Sequence, residues 1–138
     1  MDRLFLDANV LFSAAYRVDA GVTRLWRLRE TTLHSSEYAV DEGRRNLGEP
    51  DQLERLDVLM RDVVRLPAGT MNAASRQGVQ LPEMDWPIVA GALAARATHL
   101  ITGDLQHFGP HFGKLLFGVD VLSPAAYLRS RRDDASES

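Results

Sequence analysis

Short apolar runs alternate with apolar stripes along this chain, and that alternation sets the expected fold class. Leu4-Phe5-Leu6 is an uninterrupted apolar triplet, the pattern of a strand covered on both faces of a parallel sheet. Val10, Leu11, Ala14 and Ala15 follow at helical spacing, Gly21 interrupts, and Val22, Leu25, Trp26 and Arg29 restart a helix. Thr31 to His34 reads as a strand, and Ser36 to Leu47 as a helix closing near Gly48. Leu53, Leu56, Leu59, Met60 and Val63 make one stripe of a second helix, before a strand from Val63 to Leu66 that Pro67 stops. A short helix over Met71 to Arg76 closes at Gly78, and Leu81 to Met84 is a loop. Trp86 to Ala97 is an alanine-rich helix, and His99 to Thr102 and Val119 to Leu122 are the last strands. Ser123-Pro124 caps and opens a terminal helix through Leu128. Strands separated by helices predict an α/β fold: one parallel sheet of about five strands with helices on both faces.

A length of 138 residues fits one domain, expected over residues 1–130, with the polar stretch 131–138 fraying. The absence of cysteine excludes a disulfide scaffold, a thiolate metal site and a cysteine nucleophile. Met1-Asp2-Arg3 leads straight into the first strand with no signal-peptide pattern, and the uncharged stretch from Trp86 to Ala95 is about half a membrane span. These features point to a cytoplasmic protein with no membrane partner. The net charge of −3 does not advertise a nucleic-acid binder, but four acids held around a metal would leave the rest at −3 + 4 = +1. Fifteen of the sixteen bases are arginine, the better fork for phosphate.

In an open parallel sheet, ligands bind beyond the carboxyl ends of the strands. Asp7 directly follows the first strand, and Asp104 follows Thr102-Gly103 at the end of another. Each can cap the next helix, but two carboxylates on one sheet edge repel unless a cation or proton intervenes. Asp85 precedes the Trp86 helix, where an N-cap with Pro87 in the first turn also fits. Glu42 shares a helix face with Tyr38 and Asn46, while Asp41, Arg44 and Glu49 lie on the solvated side and Glu37 and Asp41 compete for the same role. Gly43 beside it permits close approach of another backbone. Four acids without a histidine or cysteine partner suit Mg²⁺ or Mn²⁺ and not zinc. Asn9 and Thr102 supply neutral groups that steer a carboxylate or water. His107 and His111, flanking Gly109-Pro110, read as surface or packing residues. Arg44 and Arg45, beside the Glu42 helix, suit phosphate better than Arg131 and Arg132.

The ordered set Leu6-Asp7-Ala8-Asn9-Val10-Leu11, Glu42 in a helix, Asp85 ahead of an Ile-x-x-x-Ala helix, Thr102-Gly103-Asp104 and the Ser123-Pro124-Ala125-Ala126-Tyr127-Leu128 ending resembles the PIN-domain nucleases. The branch it looks most like is the toxin component of bacterial toxin–antitoxin pairs. The resemblance implies Mg²⁺- or Mn²⁺-dependent endoribonuclease activity and an acidic pocket of Asp7, Glu42, Asp85 and Asp104, with Asp7, Asp85 and Asp104 on the metal. It also implies an RNA substrate, an antitoxin peptide that occupies the cleft, and a homodimer. The apolar stripes around Val22, Leu25 and Trp26 and over Leu53 to Met60 are candidate grooves for either partner, although most should face the chain's own sheet. The sequence departs from the family after Asp104, where many relatives place another acid before the phenylalanine and this chain has His107-Phe108.

Two rivals share the fold class. A haloacid-dehalogenase-like phosphatase wants D-x-D after its first strand and a later lysine, whereas here the triplet is Asp7-Ala8-Asn9 and the lone lysine, Lys114, falls in a glycine-rich loop. A non-catalytic module binding RNA or a partner gains nothing from four acids clustered near phosphates.

Overall fold

In the computed structural model, residues 1–137 are described, with side chains through residue 132. Strands β1 (Asp2–Leu6), β2 (Thr31–Ser36), β3 (Val63–Leu66), β4 (His99–Ile101), β5 (Leu115–Leu116) and β6 (Val119–Leu122) form one sheet in the order β3-β2-β1-β4-β6-β5. Every pairing is parallel except that of β5 with β6. Helices α1 (Ala8–Tyr16), α2 (Glu37–Asn46), α3 (Pro50–Met60), α4 (Trp86–Ala94), α5 (Leu105–Phe108) and α6 (Pro124–Glu137) complete the main elements. The sheet has six strands rather than about five, and its extra strand is a two-residue edge.

The chain winds outward from β1 to β2 and β3, then returns to place β4 on the other side of β1. β1 and β4 therefore flank the point where the strand order reverses, and Leu6 lies level with Ile101. Leu4, Phe5 and Leu6 are completely buried, as a central strand covered on both faces requires. Beneath Phe5 lies Gly91 of α4, where an added Cβ would stand 2.5 Å from the ring. On the other side Gly43 of α2 meets α1, with an added Cβ 3.3 Å from the Ala8 carbonyl oxygen. The glycine beside Glu42 thus brings α2 against the start of α1.

Several boundaries move for local reasons. β2 runs two residues beyond His34 because Ser35 and Ser36 pair with Arg65 and Leu66. Ser36 then caps α2 by accepting from the Ala39 N–H. Val63 does not belong to the α3 stripe; it begins β3. The expected helix over Val22 to Arg29 is a 3₁₀ helix, Gly21–Arg27. The expected helix over Met71 to Arg76 is absent: these residues form turns, with Asn72 Oδ1 accepting from the Ser75 N–H and left-handed backbone at Gln77 and Gly78. α4 stops before Ala97 because Arg96 turns left-handed and Arg3 reaches across to donate twice to the Ala95 carbonyl, at 3.0 and 2.7 Å.

The terminal helix continues past Leu128 to Glu137. Arg131 lies within it and donates to the Arg29 carbonyl and to the Tyr127 hydroxyl. The expected fraying of the tail falls mostly on residues 133–138, outside the described side chains. Tyr127 is buried, and its hydroxyl donates to Asp2 Oδ2 at 2.5 Å. Burial and that carboxylate hold its phenol up to about 12. Tyr127→Phe leaves the Asp2 carboxylate without this donor and should cost about 1–2 kcal/mol, read as a lower urea midpoint at unchanged slope.

Of the two candidate stripes, Leu25, Leu56 and Met60 face the core. Trp26, Leu53 and Leu59 pack only partly against it, with Trp26 Nε1 donating to the Leu59 carbonyl at 3.0 Å. No helix of the described residues is long and apolar enough to cross a membrane.

Candidate active site

The carboxyl ends of β1 and β4 open into a cavity of about 420 Å³, and Asp7, Glu42, Asp85 and Asp104 all line it. Four separate stretches of chain deliver them: the turn after β1, the middle of α2, the entry to α4 and the turn after β4.

Asp7 is held most firmly. Its Oδ1 accepts from the Ala8 N–H at 2.7 Å, and its Oδ2 accepts from the Thr102 hydroxyl at 2.8 Å and the Asn9 amide at 3.3 Å. Asn9 in turn accepts from the Gly103 N–H at 2.7 Å, and Thr102 accepts from the Asp104 N–H at 3.1 Å. Asn9 and Thr102 thus lace the two strand ends together and aim Asp7. Burial still raises the Asp7 carboxyl to about 6, against the lowering effect of its Thr102 and Ala8 bonds, and the charges of Asp85 and Glu42 raise it further.

Asp104 divides its two oxygens. Oδ1 caps α5 by accepting from the His107 N–H at 3.0 Å, while Oδ2 lies 3.0 Å from His107 Nδ1. Asp85 is different. It precedes α4, yet its side chain makes no capping hydrogen bond. It is 7% exposed, and burial pushes its carboxyl up, with His107 opposing and Asp104 reinforcing the shift. Its Oδ2 lies 2.7 Å from His107 Nδ1, but neither atom has a partner aligned for hydrogen bonding. Close approach without hydrogen-bond alignment is an expensive arrangement for buried polar atoms. The N-cap that its position also fits is not made, and the Asp85 side chain lines the cavity instead.

Glu42 is half-buried and faces the cavity with Asn46. Its competitors do not: Glu37 is paired with Arg65 on β3, and Asp41 is exposed. Tyr38, one turn earlier on the same face, donates to the Met84 carbonyl at 2.6 Å and so ties α2 to the segment carrying Asp85.

The expectation of acids without a histidine partner is corrected, because His107 joins Asp85 and Asp104 with donor atoms within 4.8 Å of one another. Sequence reasoning set His107 aside; the available signal was its position one helical turn after Asp104. His111 lies outside the cavity lining. Arg44 and Arg45 do not line it either: Arg44 is paired with Asp57 of α3 at 2.6 Å, and Arg45 is exposed. Lys114 is exposed ahead of β5 and away from the carboxylates.

A divalent cation suits this donor set. Asp85 Oδ2 and His107 Nδ1 are buried and unaligned with any donor or acceptor, and Asp7 and Asp85 both carry carboxyls that resist ionisation without a compensating charge.

No protein-family model and no curated protein sequence matches the chain. Solved structures do. VapBC2 from Rickettsia felis, bound to a DNA fragment from its promoter, superposes with a TM-score of 0.61 at 16% identity over 88% of this chain and 98% of that one. VapBC-1 from nontypeable Haemophilus influenzae gives 0.57 at 18% identity over 89% and 98%. VapC20 of Mycobacterium tuberculosis, a toxin that cleaves the sarcin–ricin loop, gives 0.50 at 14% identity over 73% and 91%. Identities this low speak for architecture, and the chain has the PIN-like α/β fold of these VapC toxin structures.

Proposed function

We propose that this protein is a metal-dependent endoribonuclease and the toxin of a toxin–antitoxin pair. The observation that carries the reading is the convergence of Asp7, Glu42, Asp85 and Asp104 on one cavity at the strand-order switch, with the buried Asp85 Oδ2 lacking an aligned partner. The fold shared with VapC structures supports the class of reaction.

In this reading Asp7, Asp85 and Asp104 hold Mg²⁺ or Mn²⁺. A divalent cation supplies Lewis acidity at the scissile phosphate and neutralises the carboxylates. Asn9 and Thr102 fix the direction of Asp7. Glu42 accepts a hydrogen bond from the attacking water and orients it in line with the leaving 3′ oxygen, which yields a 5′-phosphate and a 3′-hydroxyl. A single strand or loop of RNA can bend into such a cavity, whereas a continuous duplex cannot. Arg45 is the better placed of the two arginines to meet a flanking phosphate, because Arg44 is engaged by Asp57.

The partner is proposed on the same chemistry. A guanidinium from an antitoxin peptide pairs with clustered carboxylates and competes with metal for them. Homodimerisation is proposed as well, and light scattering on the purified chain tests it.

The deciding experiment pairs cleavage with growth. Wild-type protein with Mn²⁺ should cut a single-stranded RNA internally, and Asp7→Asn should slow cutting by at least about a hundredfold while remaining folded. Expression of the wild type alone should arrest growth, and Asp7→Asn should relieve the arrest. Cutting that persists in EDTA, or hydrolysis of a small phosphomonoester without RNA cleavage, would overturn the assignment.

A further inference from the structure

We infer that His107 is itself a metal ligand, through Nδ1, and that it biases the centre towards Mn²⁺ over Mg²⁺. The inference rests on the metal site proposed above and concerns the residue at which this chain departs from an all-carboxylate donor set.

The local sequence explains the placement. Asp104 and His107 are the N-cap and third residue of the four-residue helix α5, so one turn brings both side chains to the same side. The cap engages Asp104 Oδ1 and leaves Oδ2 facing the imidazole. From the opposite wall, Asp85 presents its Oδ2 from the entry to α4. Nδ1 thus stands 2.7 Å from one carboxylate oxygen and 3.0 Å from the other.

One feature distinguishes this from an ordinary ion pair, and a second is compatible with a shared ion. First, neither Nδ1 nor Asp85 Oδ2 is aligned for a hydrogen bond, although both are buried. A ring serving only as a counter-ion would turn its N–H towards the nearer oxygen, since an aligned charge-assisted bond is worth far more than contact alone. Second, the spacing matches ligands around a common ion: adjacent donors about 2.1 Å from an octahedral cation lie about 3 Å apart. Asp85 is nine-tenths buried and His107 about three-quarters, so the donor atoms are sheltered from bulk water while the cavity remains open on the Asp7 and Glu42 side.

Nitrogen in the set changes which ion is preferred. Mg²⁺ demands oxygen ligands in near-ideal octahedral geometry and gives up water reluctantly. Mn²⁺ tolerates imidazole and looser angles, and exchanging an acid for a neutral ring also removes one negative charge that Mg²⁺ would use.

The test is binding to the full-length protein, followed by calorimetry and by pulsed electron paramagnetic resonance of bound Mn²⁺. Wild type should bind Mn²⁺ at least about tenfold more tightly than Mg²⁺ and show nitrogen coupling from a directly bound imidazole. His107→Ala should lose about tenfold or more in Mn²⁺ affinity, together with the coupling. His107→Asp should also lose the coupling but recover Mg²⁺ affinity, and that recovery guards against a variant that merely misfolds. Mn²⁺ bound to wild type without nitrogen coupling would overturn the role of His107 and leave the carboxylate site standing. No Mn²⁺ binding at all would overturn both. Nitrogen coupling in a protein that cleaves no RNA would keep the ligand and remove the nuclease.

Discussion

Asp7→Asn, stripped of divalent ions, is expected to be more stable than the wild type at pH 8. Asp7 is 4% exposed, and its carboxyl stands at about 6 against an ordinary 3.8. A raised acid favours the folded state only while it is protonated. Its stabilising contribution is complete below 3.8 and is lost as the pH rises through 6, so the ionised wild type is penalised at pH 8. The two-unit difference sets a ceiling of about 3 kcal/mol. An amide at this position retains an acceptor for the Ala8 N–H but must reverse its bond with Thr102 and loses the long one from the Asn9 amide, which leaves an expected gain of about 1 kcal/mol. Melts in EDTA at pH 8 should therefore favour the variant by several degrees, with the gap closing towards pH 4. Saturating Mn²⁺ should reverse the order, because it stabilises the wild type by mass action and the variant far less. A variant less stable than wild type in EDTA at pH 8 would show that Asp7 is held for reasons other than charge.

Gly91→Val should be the most damaging single change in the core. The space a Cβ would take is already filled by the Phe5 ring, whose Cζ and Cε2 would lie 2.5 and 2.7 Å away. Phe5 has nowhere to go: it is completely buried in the central strand, two residues before Asp7. A branched side chain must push α4 off the sheet, at a cost of about 3 kcal/mol or more. Because α4 starts beside Asp85, the same displacement should reduce the Mn²⁺-induced rise in Tm. Leu56→Ala provides the comparison. It empties a buried position on α3 at a cost of about 2–5 kcal/mol but leaves the α4 entry alone, so it should lower Tm without changing the Mn²⁺ increment.

What could be read in advance depended on how local its cause was. β1 was legible because three consecutive apolar residues end in an acid, and a parallel order then placed Asp7 near Asp104. β5 escaped because the turn joining it to β6 is Phe117-Gly118, with both residues left-handed at φ 52° and 83°. That geometry usually announces itself as Asn-Gly. The Met71 to Arg76 stretch has no apolar stripe to bury as a helix. It is fastened instead by Arg76, which donates to both Glu83 oxygens and lies 4.7 Å over the Trp86 ring. Among the site residues, Glu42 shared its helix with two competing acids, Glu37 and Asp41, and the resemblance rather than the helix face singled it out. For Asp85 a capping position and a cavity position look alike in sequence, and only the resemblance put it with the other acids. His107 needed the fold, since its contact with Asp85 spans two elements, and the engagement of Arg44 by Asp57 was hidden for the same reason.

The lacing of Asp7 to Thr102 has a temporal consequence. These partners are 95 residues apart, on strands that adjoin only after β2 and β3 have been laid down on the far side of β1. A ribosome that has exposed the first two-thirds of the chain has released Asp7 and Glu42 but not Asp104 or His107, and β1 still lacks a neighbour on one edge. The cavity is therefore completed only near the end of translation, and messages truncated before Asp104 encode an incomplete set of its four carboxylates.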